Sequence, residues 1–213
     1  MTHPVRGFLH GIAAFVALVG GILLAILGHG GFWSRFSLLV FGLSLVALFT
    51  ISALYHSVPW REGTKLVMRR LDHTMIHVLI AGSFTPIAFI VLDGWLRWAT
   101  LAAQWGIVAA GAVQKFAFRE INGTVSVVLQ TTQGWLAILI LQPMASRLPW
   151  TAIMLYALGG VAYTVGMVLL VTGRPRLWPR VFSYHEVFHV LVVVGASLHF
   201  LAVARYLATY SAG

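Results

Sequence analysis

Apolar residues fall along this chain in seven long blocks, each continuous rather than alternating and each closed by a short polar break. The blocks run over roughly 8–27, 37–56, 72–91, 95–113, 123–141, 150–171 and 186–208. A helix needs about 20 apolar residues to cross a hydrocarbon core near 30 Å thick, and these blocks have that length. Lipid offers the backbone no hydrogen bonds, so only helices and closed barrels span it; unbroken runs select helices. The breaks carry turn and charge signals: Gly28-His29-Gly30-Gly31, Pro59 to Gly63, Asp93-Gly94, Asn122-Gly123, Pro149 and Gly173-Arg174-Pro175. No linker divides the chain. The expectation is an all-α integral membrane protein, one seven-helix domain over residues 1–213.

Composition agrees with that pattern. Of 213 residues, 60% are hydrophobic and only 9% charged, against the roughly 25% that clothe a soluble domain. There are no cysteines, which removes disulfides, iron–sulfur clusters and thiolate zinc sites. The first block is of spanning length and is followed by others, so it reads as a span rather than a cleaved signal. A net charge of +9 raises nucleic acid as a partner, but the basic residues are scattered among short loops; anionic lipid headgroups fit better. Their sides differ. Arg6, Arg61, Lys65, Arg69, Arg70, Lys115, Arg119, Arg174, Arg176 and Arg180 share one face, and Arg35, Arg97, Arg147 and Arg205 the other. Basic excess marks the cytoplasm, which puts the N-terminus inside and the C-terminus outside. Trp60, Trp95, Trp98 and Trp150 near span ends read as interfacial anchors.

This orientation gathers polar residues at one depth. His56 closes the second span, Asp72 and His73 open the third, and His185 and His189 open the seventh. Imidazoles four residues apart lie on one helix face and can grip one ion. Three neutral nitrogens with a fourth position open suit catalytic zinc, which brings the pKa of its water to about 7. Asp72 is then a candidate for orienting that water or taking its proton, and Ser52, one turn from His56, for a supporting hydrogen bond.

Plainer readings compete. Asp72 is also a good N-cap for the third span, and an intramembrane serine often makes only an interhelical hydrogen bond. His73 and His77 form another four-residue pair, so the ligand set is open on spacing alone. His10 lies near the same side, as a supporting or merely packed residue. His199, about 15 Å beyond His189 along the helix, reads as an interhelical hydrogen-bonding residue, and His3 and His29 as surface residues. His185-Glu186-Val187-Phe188-His189 also fits the H-E-x-x-H pattern of zinc proteases, with Glu186 as general base.

Ser52-x-x-x-His56, "LDH" at 71–73, "GSFTP" at 82–86, "HEVFHVLVVVGASLHF" at 185–200 and "HG" at 10–11 together resemble the hemolysin III branch of the progestin and adipoQ receptor family. The resemblance covers nearly the whole chain. It implies a seven-helix bundle with its N-terminus inside and a zinc ion (Zn2+) toward the cytoplasmic side. It also implies His56, His185 and His189 as ligands, Asp72 as the acid holding the zinc-bound water, and Ser52 as its companion. The long soluble N-terminal region of the family's animal receptors is missing, which fits a bacterial member in the inner (plasma) membrane. Family members are linked to ceramidase-like lipid amide hydrolysis, to cytolysis and to control of membrane lipid state. The leading expectation is a zinc-dependent hydrolase of lipid amides or esters, its acyl chain held in the bundle and its headgroup at the zinc. A non-enzymatic regulator with structural zinc is the alternative; a cytolytic pore and an intramembrane protease are minor ones.

Overall fold

The computed structural model describes residues 4–118, 122–178 and 181–210. It contains seven helices: α1 (Pro4–Leu27), α2 (Phe32–Ser57), α3 (Glu62–Val91), α4 (Gly94–Phe116), α5 (Gly123–Arg147), α6 (Trp150–Thr172) and α7 (Tyr184–Leu207). All except α4 are long and apolar enough to cross a membrane. α4 has 23 residues, but Arg97, Gln104, Gln114, Lys115 and three tryptophans lower its apolarity. The chain is a multi-pass, all-helical membrane protein. Much of its surface is apolar, including Phe15, Ile26, Leu139 and Val171.

Local chemistry sets the ends. Asn122 caps α5 by accepting from the Val125 amide at 3.1 Å. Gly173 ends α6 at φ 66°, a left-handed conformation that costs a residue without Cβ least. Pro86 brings no amide proton to the α3 ladder, and the helix widens into a π turn over Ile87–Val91.

α1 packs chiefly on α2, α2 on α3, and α6 on α7. At the first seam Gly21 lies against Gly42, so near that a Cβ on Gly42 would stand 3.1 Å from the Gly21 Cα. Small residues let helices approach closely where lipid supplies no hydrophobic drive for association. Phe41, Leu38, Val91 and Ala152 are among the side chains buried between helices.

α3 departs from its expected start. It begins at Glu62, ten residues before the block at 72–91, because Glu62–Arg70 continues the helix despite its charge. Long basic stems cover apolar surface while their heads reach water, so such a segment stays helical at an interface. Asp72 therefore lies inside the helix, and the N-cap reading is wrong. Lys115, expected in a loop, sits fully buried in the last turn of α4. Arg119, Arg180 and His3 fall outside the described residues.

Candidate metal centre

Two turns of α7 supply the first pair of imidazoles. Ser183 and Glu186 form a capping box: the Ser183 amide donates to Glu186 Oε2 at 2.8 Å, and the serine side chain caps in return. Glu186 Oε1 accepts from Arg6 Nε of α1 at 2.7 Å, with both side chains largely buried. Both oxygens of the H-E-x-x-H glutamate thus hold helix ends together. That signal was present in the sequence as Ser183-x-x-Glu186 ahead of an apolar run.

The start of α7 so fixed meets the end of α2. His56, His185 and His189 each offer one ring nitrogen, and the three nitrogens lie within 4.8 Å of one another. Ring centroids are 5.7 Å apart for His56 and His185, 4.9 Å for His56 and His189, and 5.0 Å for His185 and His189. His56 and His189 are buried and His185 half-buried. Among the described residues this is the one histidine–carboxylate group compact enough to share an ion. Tetrahedral ligands about 2.0–2.1 Å from a metal stand a little over 3 Å apart, so slight closure of these rings suffices. The set can hold a metal ion.

Around it lie the remaining candidates. His10 of α1 brings Nε2 to 2.9 Å from His189 Nδ1. The other nitrogen of His189, Nε2, is buried without a hydrogen-bond partner. A ring held at Nδ1 with Nε2 bare is the state a metal-binding histidine takes. Ser52 and Asp72 are both buried, Ser52 on α2 one turn from His56 and Asp72 on α3 close to that serine.

His77 is placed elsewhere. Its Nδ1 bonds Gln133 Oε1 of α5 at 2.7 Å, while Gln133 Nε2 donates to the carbonyls of His77 and Gln104. His73 is half-buried and near Lys115 and Arg69 rather than the other imidazoles. Gln104, Gln133 and Lys115 carried no signal in spacing. His199 donates from Nε2 to the Tyr156 carbonyl at 3.2 Å, the interhelical bond expected of it.

The whole chain compares closely with known proteins. It is 30% identical to the Hemolysin-3 homolog of Bacillus subtilis (strain 168), over 92% of this chain and 90% of the relative. Hemolysin-3 of Bacillus cereus is 31% identical over 92% and 88% respectively. The human Monocyte to macrophage differentiation factor is 24% identical over 96% of this chain and 84% of its own. The model of the family described as Haemolysin-III related matches residues 1–200. With its apolar helices and its buried imidazole cluster, this chain belongs to the haemolysin-III-related family of membrane proteins.

Proposed function

We propose that the protein is a zinc-dependent hydrolase of lipid amides or esters, a seven-span bundle of the bacterial inner membrane with its N-terminus cytoplasmic. The convergence of three imidazoles from α2 and α7 carries this reading, and buried Ser52, one turn from His56 and close to Asp72, supports it. Seven helices and the unequal distribution of Lys and Arg favour the topology, and α4, though less apolar, is about 34 Å long.

His56, His185 and His189 hold the ion, and an all-nitrogen donor set without thiolates suits zinc in a hydrolytic role. When bound, zinc supplies Lewis acidity and moves the ionisation of water close to neutral pH. His10 keeps the His189 ring turned so that Nε2 meets the ion. Asp72 accepts the proton from attacking water and returns it to the leaving nitrogen or oxygen. Ser52 is placed to hold the Asp72 carboxylate by a hydrogen bond. Glu186, engaged at both oxygens, serves structure, which leaves the protease reading without its base.

A cavity of about 660 Å³ gives the acyl chain a place. Leu48, Leu79, Phe84, Phe188 and Val192 are among its walls, and Phe188 stands beside His189 with ring centroids 5.6 Å apart. Val168 and Val171 of α6 line it and are also exposed at the outer surface, so chains enter sideways from the bilayer. Purified zinc-loaded protein, given a long-chain ceramide in detergent, releases fatty acid detectable by mass spectrometry. Asp72→Asn keeps the metal and loses about 10²–10⁴ in rate. Full activity in that variant would remove the mechanism.

A regulator of membrane lipid state with structural zinc is the second reading. It is favoured by the way the imidazoles tie α2 to α7 and, through His10, to α1. Turnover separates the two.

A further inference from the structure

The cavity has a second polar region far from the imidazole cluster. Tyr156 and Tyr163 of α6 and His199 of α7 all line it. Ten residues, about 15 Å of helix, separate His199 from His189. Both tyrosine hydroxyls and His199 Nδ1 are buried with no hydrogen-bond partner. Leaving such a group unpaired is costly, and inside a bilayer neither lipid tails nor bulk water relieves it. Three on one wall call for an explanation.

The placement is built by glycines. A Cβ on Gly159 would stand 2.5 Å from His199 Nε2, and one on Gly195 would stand 2.9 Å from the Tyr163 ring. Each helix thus leaves a notch for the other's ring, and the rings touch: His199 lies 5.2 Å from Tyr156 and 5.4 Å from Tyr163 between centroids. The backbone then settles the chemistry. His199 Nε2 faces a carbonyl oxygen, which only accepts, so Nε2 carries the proton and Nδ1 is an acceptor. The cluster therefore offers one acceptor and two hydroxyls. A ligand group that donates to His199 and accepts from a tyrosine satisfies it, and a hydroxyl does both, whereas a ketone does not.

We propose that this cluster binds a hydroxyl carried well along the chain of a long-chain lipid whose apolar body fills the cavity. The inference rests on the acyl-chain reading of the cavity but not on hydrolysis. The three polar atoms have almost no accessible surface in the free protein, so binding requires the tyrosine side chains to turn toward the cavity. A site made to hydrogen-bond a hydroxyl discriminates strongly against the analogue lacking it, because its own polar groups are then left unpaired.

The test uses oleate and ricinoleate, which is oleate with one added hydroxyl, titrated into purified full-length protein in detergent. Ricinoleate binds about tenfold tighter, the ratio expected for one satisfied buried hydrogen bond. Tyr156→Phe/Tyr163→Phe lowers the ratio to what the His199 acceptor alone supplies and leaves the melting temperature of the free protein unchanged or raised, since the hydroxyls removed had no partner. His185→Ala/His189→Ala keeps the ratio; loss of hydrolysis together with a preserved preference separates this inference from the enzymatic one. Equal affinities in the wild type, a preference undiminished by the double Phe change, or binding of neither acid overturns the proposal.

Discussion

Two four-residue histidine pairs lie in this bundle, each with one ring buried and one half-buried, and they have different neighbours. His185 and His189 on α7 meet His56 from α2; His10 bonds His189, and Ser52, one turn from His56, lies close to Asp72. His73 and His77 on α3 meet amides and a base: His77 is tied to Gln133, and Lys115 lies near both rings. A basic side chain in a medium of low dielectric repels a divalent cation strongly, while a carboxylate attracts one. Spacing makes a pair of imidazoles parallel; the facing helix decides whether they bind metal or lock helices together. In α3 the pair contributes to a polar seam with α4 and α5, where Gln104 Nε2 donates to the Gln133 carbonyl at 3.0 Å.

The contrast is broken most directly by removing each pair. His185→Ala/His189→Ala loses its bound metal almost completely by elemental analysis, and His73→Ala/His77→Ala retains the wild-type content per chain. Equal losses would erase the distinction. A finer probe is His10→Phe, which leaves the ligands but frees His189 Nδ1; competition with a chelator reads a metal affinity about 10–100-fold weaker. His10→Gln, which can still hydrogen-bond, recovers part of it. On the other side, Gln133→Leu strands His77 Nδ1 and two carbonyls. It costs about 1–3 kcal/mol in stability, seen as a lower melting temperature at unchanged metal content. The smallest effect belongs to Glu186→Gln: hydrolysis stays within a few-fold of wild type, since this side chain caps α7 and pairs with Arg6. Abolished turnover with intact folding and metal would return Glu186 to the role of base.

Much of this was legible in the chain. Six of seven helices follow apolar blocks whose ends shift by only a few residues, because the bilayer fixes their length and leaves few alternatives. His56, His185 and His189 converge as their blocks and the alternation of sides require. α3 was misread at its start, because a charged run adjoining a span looks like a loop when its aliphatic stems are ignored. The partners of His77 were not legible either. Gln133 is 56 residues away, and no period in the sequence says which glutamine turns inward. Lys115 was misplaced for the opposite reason, a charge assumed to seek water that instead bonds the Gly111 carbonyl at 3.4 Å. Glu186 shows a different ambiguity: a short motif with two meanings, of which the local one, the cap, needs no distant partner.

The Arg6–Glu186 and His10–His189 contacts join α1 to α7, although their residues lie about 180 positions apart in the chain. Until residues 184–189 are synthesised, Arg6 and His10 have no counterparts there and face the membrane unmatched, an expensive state for ionisable groups. Docking of α7 against α1 thus gives both groups their partners at once.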